Sequence, residues 1–274
     1  MRQGVLELRE FYASPLGRAA RKMVSRKLAE AWSDIAGLDL LAVGYATPFL
    51  GQLRGSPRRI VAAMPAGQGV EAWPVGAPNC AFLSEETSLP TLNALFDRIV
   101  AVHALEESEN PLALMREVAR VLAPSGRLIV VVSSRHGLWA DAQGSPFGHG
   151  RPFRRRQIES LVLEAGLQPV GWTRALYVPP LAWMANWAEG FEQVGARIWP
   201  PFAGLILMEA VKLSFALRPK GLRARAPART ALRPAPSAGA VGTAGLGLGR
   251  RARPGPGLWA RTSDGPKAWP GAHR

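Results

Sequence analysis

Three observations predict an α/β fold built on a doubly wound, mainly parallel sheet of seven strands. Short runs of β-branched and apolar residues, such as Leu38 to Val43, Arg59 to Met64 and Leu128 to Val132, have the length and composition of strands buried on both faces. Between several of them lie segments with a 3.6-residue apolar repeat, including Pro111 to Val121 and Arg154 to Ala165. Third, the segment from Arg98 to Val132 reads strand, helix, Pro124-Ser125-Gly126 turn, strand. Two strands joined by a helical crossover lie parallel, and repetition of that unit gives a Rossmann-like sheet.

Residues 4 to 36 have helical spacing, with Leu16, Ala20, Met23, Val24, Leu28 and Trp32 on one side and Arg18, Arg21, Lys22 and Lys27 largely elsewhere. They form a predicted N-terminal helical extension, residues 1–36, stopped by Gly37. Leu38 to Val43 is the first strand, followed by a turn at Gly44 to Pro48 and a short helix around Phe49 to Leu53. Arg59 to Met64 is the second strand, Asn79 to Leu83 the third and Phe96 to Leu105 the fourth. After the fifth, Leu128 to Ser133, a Gly- and aromatic-rich loop runs to Phe153, and Gly166 closes the helix Arg154 to Ala165. Strands near Leu167 to Leu176 and Leu205 to Leu217 complete the sheet and the domain, residues 37–217. The Pro- and Trp-rich segment 177–203 between them reads as a cap insertion.

Charge separates the body from the tail. Residues 218–274 carry 12 Lys/Arg against one acid, Asp264, and so hold +11 of the formal +14. With 18 Gly or Pro among 57 residues and little apolar periodicity, the tail cannot bury enough surface to offset its ordering entropy, and disorder is predicted. Its charge suits an anionic partner, but an Ala/Arg/Pro/Gly bias is equally a compositional drift; the body, at +3, offers no specific nucleic-acid signature. One cysteine, Cys80, excludes an internal disulfide and a Cys-rich metal site. The start of the chain is amphipathic and charged, and no apolar run reaches the ~18 residues of a bilayer span, so a cytoplasmic protein without a transmembrane segment is expected.

Beyond its pattern, the central segment has a specific wording: Glu85 four residues before Leu89-Pro90, then Phe96-Asp97, His103, Leu105-Glu106, and Arg120-Val-Leu-Ala-Pro-Ser-Gly-Arg-Leu128. It resembles class I S-adenosylmethionine (SAM)-dependent methyltransferases, and weaker resemblance extends over residues 38 to 217. The resemblance implies SAM as cofactor, bound where the strands end and their order reverses. In that family an acid precedes a Gly-x-Gly-x-Gly turn after the first strand. Here Ala42 replaces the acid and Pro48 the third glycine, while Gly44, Tyr45 and the small Ala46 keep the turn. Gly44 is expected to serve ligand access, so that a larger side chain there would cost binding and spare the fold. No acid follows the second strand; Met64 takes its place and can pack on adenine or fill core. Glu85 stands where the family binds the adenine amino group, with Glu86 one residue away. His103 faces the sulfonium and acceptor in the family pattern, where it would serve as cofactor contact and general base; a structural His fits the position as well.

His149, in the loop 133–153, is a second candidate base. His136 and His149 could pair on a metal, but no Cys or carboxylate completes a ligand set, and no metal is expected. Asp97, Arg120 and Arg127 read as structural. In the cap, Trp183, Trp187 and Phe191 recur every four residues, on one helical face that suits a lid over a hydrophobic substrate, a protein or membrane contact, or core. The preferred reading is a SAM-dependent methyltransferase acting on a small molecule; the alternative is a catalytically inactive binding or regulatory protein of the same fold. An NAD-linked oxidoreductase would need Gly-x-Gly-x-x-Gly and an acid after the second strand, and has neither.

Overall fold

The computed structural model describes residues 2–53, 55–142, 144–199 and 202–213, and the pair 267–268. The strands are β1 (Asp39–Gly44), β2 (Arg59–Pro65), β3 (Ala81–Ser84), β4 (Phe96–Val102), β5 (Leu122–Ser133), β6 (Gln168–Ala175) and β7 (Leu205–Val211). They lie side by side in the order β3-β2-β1-β4-β5-β7-β6, parallel from β3 to β5 and antiparallel on both sides of β7. The seven-stranded, mainly parallel sheet is thus present. Beside β6 the backbone of β8 (Lys267–Ala268) pairs parallel with Gly171 and Trp172. The remainder of the tail predicted to be disordered lies outside the described residues.

Each central strand is buried on both faces, and the period of two divides its side chains between two cores. Leu40, Ala42, Val100, Val102, Ile129 and Val131 point to the face covered by α1 (Val5–Ala13) and α2 (Pro15–Ala31). Leu41, Val43, Ile99, Ala101, Leu128 and Val130 point to the face covered by α3 (Pro111–Val121) and α4 (Arg155–Glu164). The cap contributes a 3₁₀ turn, Ala182–Trp187, and α5 (Ala188–Ile198). None of the described helices is long and apolar enough to cross a membrane.

The N-terminal helix predicted as one is two. Ser14 is extended, its hydroxyl accepts from the Gly17 amide at 3.0 Å, and Pro15 occupies the first helical position of α2. Gly17 makes the corner possible, because a Cβ there would come within 1.9 Å of the Phe11 carbonyl oxygen. Gly37 does not stop the helix, which ends at Ala31; at φ +70 it turns the chain into β1. The Pro124-Ser125-Gly126 turn is present as an excursion within β5. Phe96 pairs with Leu122 and Arg98 with Arg127, so extra residues loop out, with Ser125 at φ +63. The Lys212 ammonium closes this end of the sheet by donating to the Ala119 carbonyl at 2.6 Å and the Leu122 carbonyl at 2.8 Å, where the last turn of α3 leaves carbonyls without helical partners.

A buried ion pair fixes the α2 face at the same end. Glu209 of β7 is fully buried and accepts from Arg127 at 3.0 Å and from the Trp32 indole at 2.9 Å, while Arg98 lies over the Trp32 ring. Glu209→Ala would leave two neighbouring guanidinium groups without their buried counter-charge, and is expected to lower unfolding free energy by about 3–5 kcal/mol in urea titrations. A loss below about 1 kcal/mol would show that solvent replaces the pair.

Candidate functional site

The candidate site is at the carboxyl ends of β1, β2 and β4. β1 ends on Gly44 at φ +76, and the Tyr45 amide turns back to the Val102 carbonyl at 2.9 Å. A Cβ on Gly44 would lie 2.3 Å from that same carbonyl oxygen. The glycine is therefore demanded by the chain itself, and the expectation that a larger residue would spare the fold is corrected: strain at positive φ and a backbone clash would both oppose it.

Over this turn lies α1. Arg2 donates to Glu86 at 2.8 Å and to the Ala104 carbonyl at 3.1 Å, the Gln3 amide donates to Glu107 at 3.0 Å, and the Val5 amide to the Gln68 carbonyl at 2.8 Å. These contacts tie the segment to the loops after β2, β3 and β4 in turn. At its far end Tyr12 reaches His103, with 2.6 Å between the hydroxyl and Nε2. The Tyr12 ring stacks on Tyr45 at 5.8 Å and meets Phe49 edge-on at 5.2 Å. Phe147, from the loop after β5, lies 4.7 Å from the His103 ring and 5.7 Å from Trp139.

Burial sets the protonation of this cluster. It lowers the His103 pKa to about 3 and raises that of Tyr12 well above its ordinary value, so near neutral pH a protonated phenol faces a neutral imidazole. The His103 backbone is at φ +52, an uncommon conformation for a side chain other than glycine, held by the packing around it. Glu106, three residues further on, is also buried; one oxygen accepts the Ser133 amide at 3.0 Å, and burial raises its pKa to about 7.

Gly44, Tyr45, Ala46, Met64 and His103 come together in one packed layer. Glu85 is placed outside it, exposed to solvent, whereas Glu86 turns inward and is held by Arg2 and the Ser108 hydroxyl. His149 is half-buried on the loop after β5, close enough to Glu107 for its charge to act there. His136 is exposed, and among the described residues no group of three His, Cys, Asp or Glu could hold a metal. The structural readings of Asp97, Arg120 and Arg127 agree with their contacts: Asp97 accepts the Asp39 amide, Arg120 binds Glu117 and the Leu89 carbonyl, and Arg127 binds Glu209.

A sequence model described as a methyltransferase domain matches residues 19–171, more than half of the chain. The chain belongs to the methyltransferase-domain family. SAM is the methyl donor of this family. Among solved structures, a putative methyltransferase in complex with the Haloferax volcanii Trm112 methyltransferase activator is similar, with 15% identity over 69% of this chain and 89% of the other and a TM-score of 0.50. A putative methyltransferase from Bacillus halodurans has 14% identity over 69% and 99%, TM-score 0.47. The [4+2]-cyclase SpnF has 22% identity over 69% and 79%, TM-score 0.49. No curated protein matches.

The crevice suits the methyl donor of this family only in part. The backbone fits, since Gly44 makes the sharp turn and Ala46 adds little bulk. The space above it does not: Ala46 is 0% exposed, Tyr45 2% and His103 5%, so the conformation described leaves no surface at the turn on which a nucleotide could rest. Tyr12 and Phe147 fill it. Phe147 comes from the aromatic-rich loop after β5, whereas Tyr12 was not legible in sequence, because an aromatic on the apolar face of a helix reads as core and only the fold shows what it faces.

The His103 environment predicts a pH dependence. Its folded pKa lies below the ~6.5 of the unfolded chain, so its contribution to stability is present above pH ~6.5 and is lost as pH falls toward 3. Glu106 acts in the opposite direction, its contribution being lost as pH rises from ~4.5 to about 7. Comparing His103→Gln with wild type isolates the first effect. The variant should lose less stability than wild type between pH ~7 and ~5 in urea titrations, and parallel curves would place His103 in water.

Proposed function

We propose that the chain is a SAM-dependent methyltransferase for a small-molecule acceptor, and that its donor crevice opens when residues 2–12 withdraw. The observation that carries this reading is the match of residues 19–171 to the methyltransferase domain, with the Gly44-Tyr45-Ala46 turn at the expected strand end. On this reading Gly44, Tyr45, Ala46, Met64 and His103 line the crevice once Tyr12 leaves. Glu86 then stands in the position assigned to Glu85, its carboxylate released from Arg2. SAM supplies the methyl group when bound; the chain's own residues orient the acceptor and take its proton where it must lose one. Withdrawal of Tyr12 frees His103 Nε2 and hydrates the ring, which returns its pKa toward ~6.5 and suits it to that task. His149, on the loop after β5, is the second candidate.

The second reading, a methyltransferase fold that binds without catalysing, is favoured by a specific observation. The acids expected at Ala42 and after Met64 are missing, and the crevice holds the chain's own Tyr12 and Phe147. A hydrogen bond to a charged group contributes ~1.5–3 kcal/mol, so two missing acids imply weak donor binding in either case.

Calorimetric titration of the full chain with SAM separates the readings. A closed state that must open lowers apparent affinity by the open fraction. Tyr12→Ala is therefore expected to tighten SAM binding by about tenfold or more, and Glu86→Gln in that background to weaken it by a similar factor, as a charged hydrogen bond is lost. Equal affinity in wild type and Tyr12→Ala would remove Tyr12 as the barrier. Failure of both to bind at millimolar SAM would replace the enzyme reading with the non-catalytic one.

A further inference from the structure

Beneath α5 lies a cavity of about 270 Å³. Leu138, Tyr177, Phe191, Gly195, Trp199 and Phe202 line it. Its walls are fixed. Leu176, at φ +68, turns the chain out of β6, and the buried Glu192 carboxylate accepts the Leu176 amide at 3.0 Å and the Tyr177 amide at 3.1 Å, clamping α5 to that strand end. Gly195 completes the contact, since a Cβ there would lie 2.6 Å from the Tyr177 Cβ. Behind the cavity the Trp139 indole donates to the Val178 carbonyl at 2.7 Å.

Among the described residues the lining has no charged side chain, and its side-chain heteroatoms are the Tyr177 hydroxyl and the Trp199 indole nitrogen. A buried ion would lack a counter-charge, and a water molecule needs two or more polar partners. The volume is nearly twice the ~150 Å³ of an apolar cavity that takes up benzene and lies at the small end of ligand pockets, ~300–1,000 Å³, so it admits two fused rings or a medium alkyl chain and not a peptide helix. Trp199 and Phe202, each about half exposed, form a mouth through which such a group can enter.

We infer that this cavity binds the uncharged aromatic or alkyl part of a small ligand. Resting on the methyltransferase reading, that ligand is the methyl acceptor, anchored by its apolar end.

The test is a fluorescence titration of the full chain with N-phenyl-1-naphthylamine, an uncharged two-ring probe, in the absence of any methyl donor. Saturable, one-to-one enhancement is expected. Trp199→Glu places a charge in the lining and should weaken binding at least about tenfold, while Trp199→Phe should retain it. Trp183→Glu provides the control, because Trp183 is 70% exposed and outside the cavity. Thermal melts should be alike for all four proteins. Absence of saturable binding, or equal losses in Trp199→Glu and Trp183→Glu, would overturn the inference, the latter by showing adsorption to surface tryptophans. Because no SAM is present, failure here leaves the methyltransferase reading standing, and failure of SAM to bind leaves this site intact.

Discussion

The hydrogen bond between Tyr12 and His103 joins the N-terminal helices to the working end of the sheet, and the site is organised around it. It pairs a hydroxyl and an imidazole that are both removed from water, where either alone would carry the cost of an unsatisfied polar group. Burial keeps both groups in their uncharged forms, and the hydrogen bond between them holds Tyr12 in place. The aromatic rings of Tyr45, Phe49 and Phe147 then close around the pair. The same residues on an open crevice would present a hydrated, titrating histidine.

The two ends of the sheet solve different problems. At the amino ends of β4 and β5, Glu209, Arg127, Arg98 and Trp32 form a buried charged group, and Lys212 caps α3. These contacts join β7 and the helices to the parallel strands. At the carboxyl ends, backbone strain at His103, the tight Gly44 turn and a carboxyl shifted to about 7 at Glu106 occur within four positions in sequence or one strand across. A strained histidine backbone beside a buried carboxyl of raised pKa is an arrangement that functional sites share, and here it coincides with the crevice that the strand order creates.

Much of the fold was legible because the central strands are buried on both faces, which leaves unbroken apolar runs, and because Gly166 and the Pro111 helix start carry their own punctuation. The split of the N-terminal helix was also written in the chain, at Ser14-Pro15, where a helix-start signal interrupts an otherwise continuous apolar stripe. The site was less legible for reasons of geometry. Tyr12 and His103 are 91 positions apart, and helical periodicity predicts which face is buried without saying what covers it. Glu85 and Glu86 differ by one residue just past a strand, where a shift of one reverses the direction of a side chain. The stability cost of replacing Gly44 was misjudged because a glycine that admits a ligand and one that admits its own backbone look the same in sequence.

Closure of the crevice by α1 has a thermodynamic consequence. Val5, Leu8, Phe11 and Tyr12 bury apolar surface against the body, so their release hydrates that surface and raises heat capacity. Opening then has an enthalpy that changes steeply with temperature, and any ligand that requires it inherits the same curvature. Its van't Hoff plot bends, by an amount that measures how much of the helix has let go.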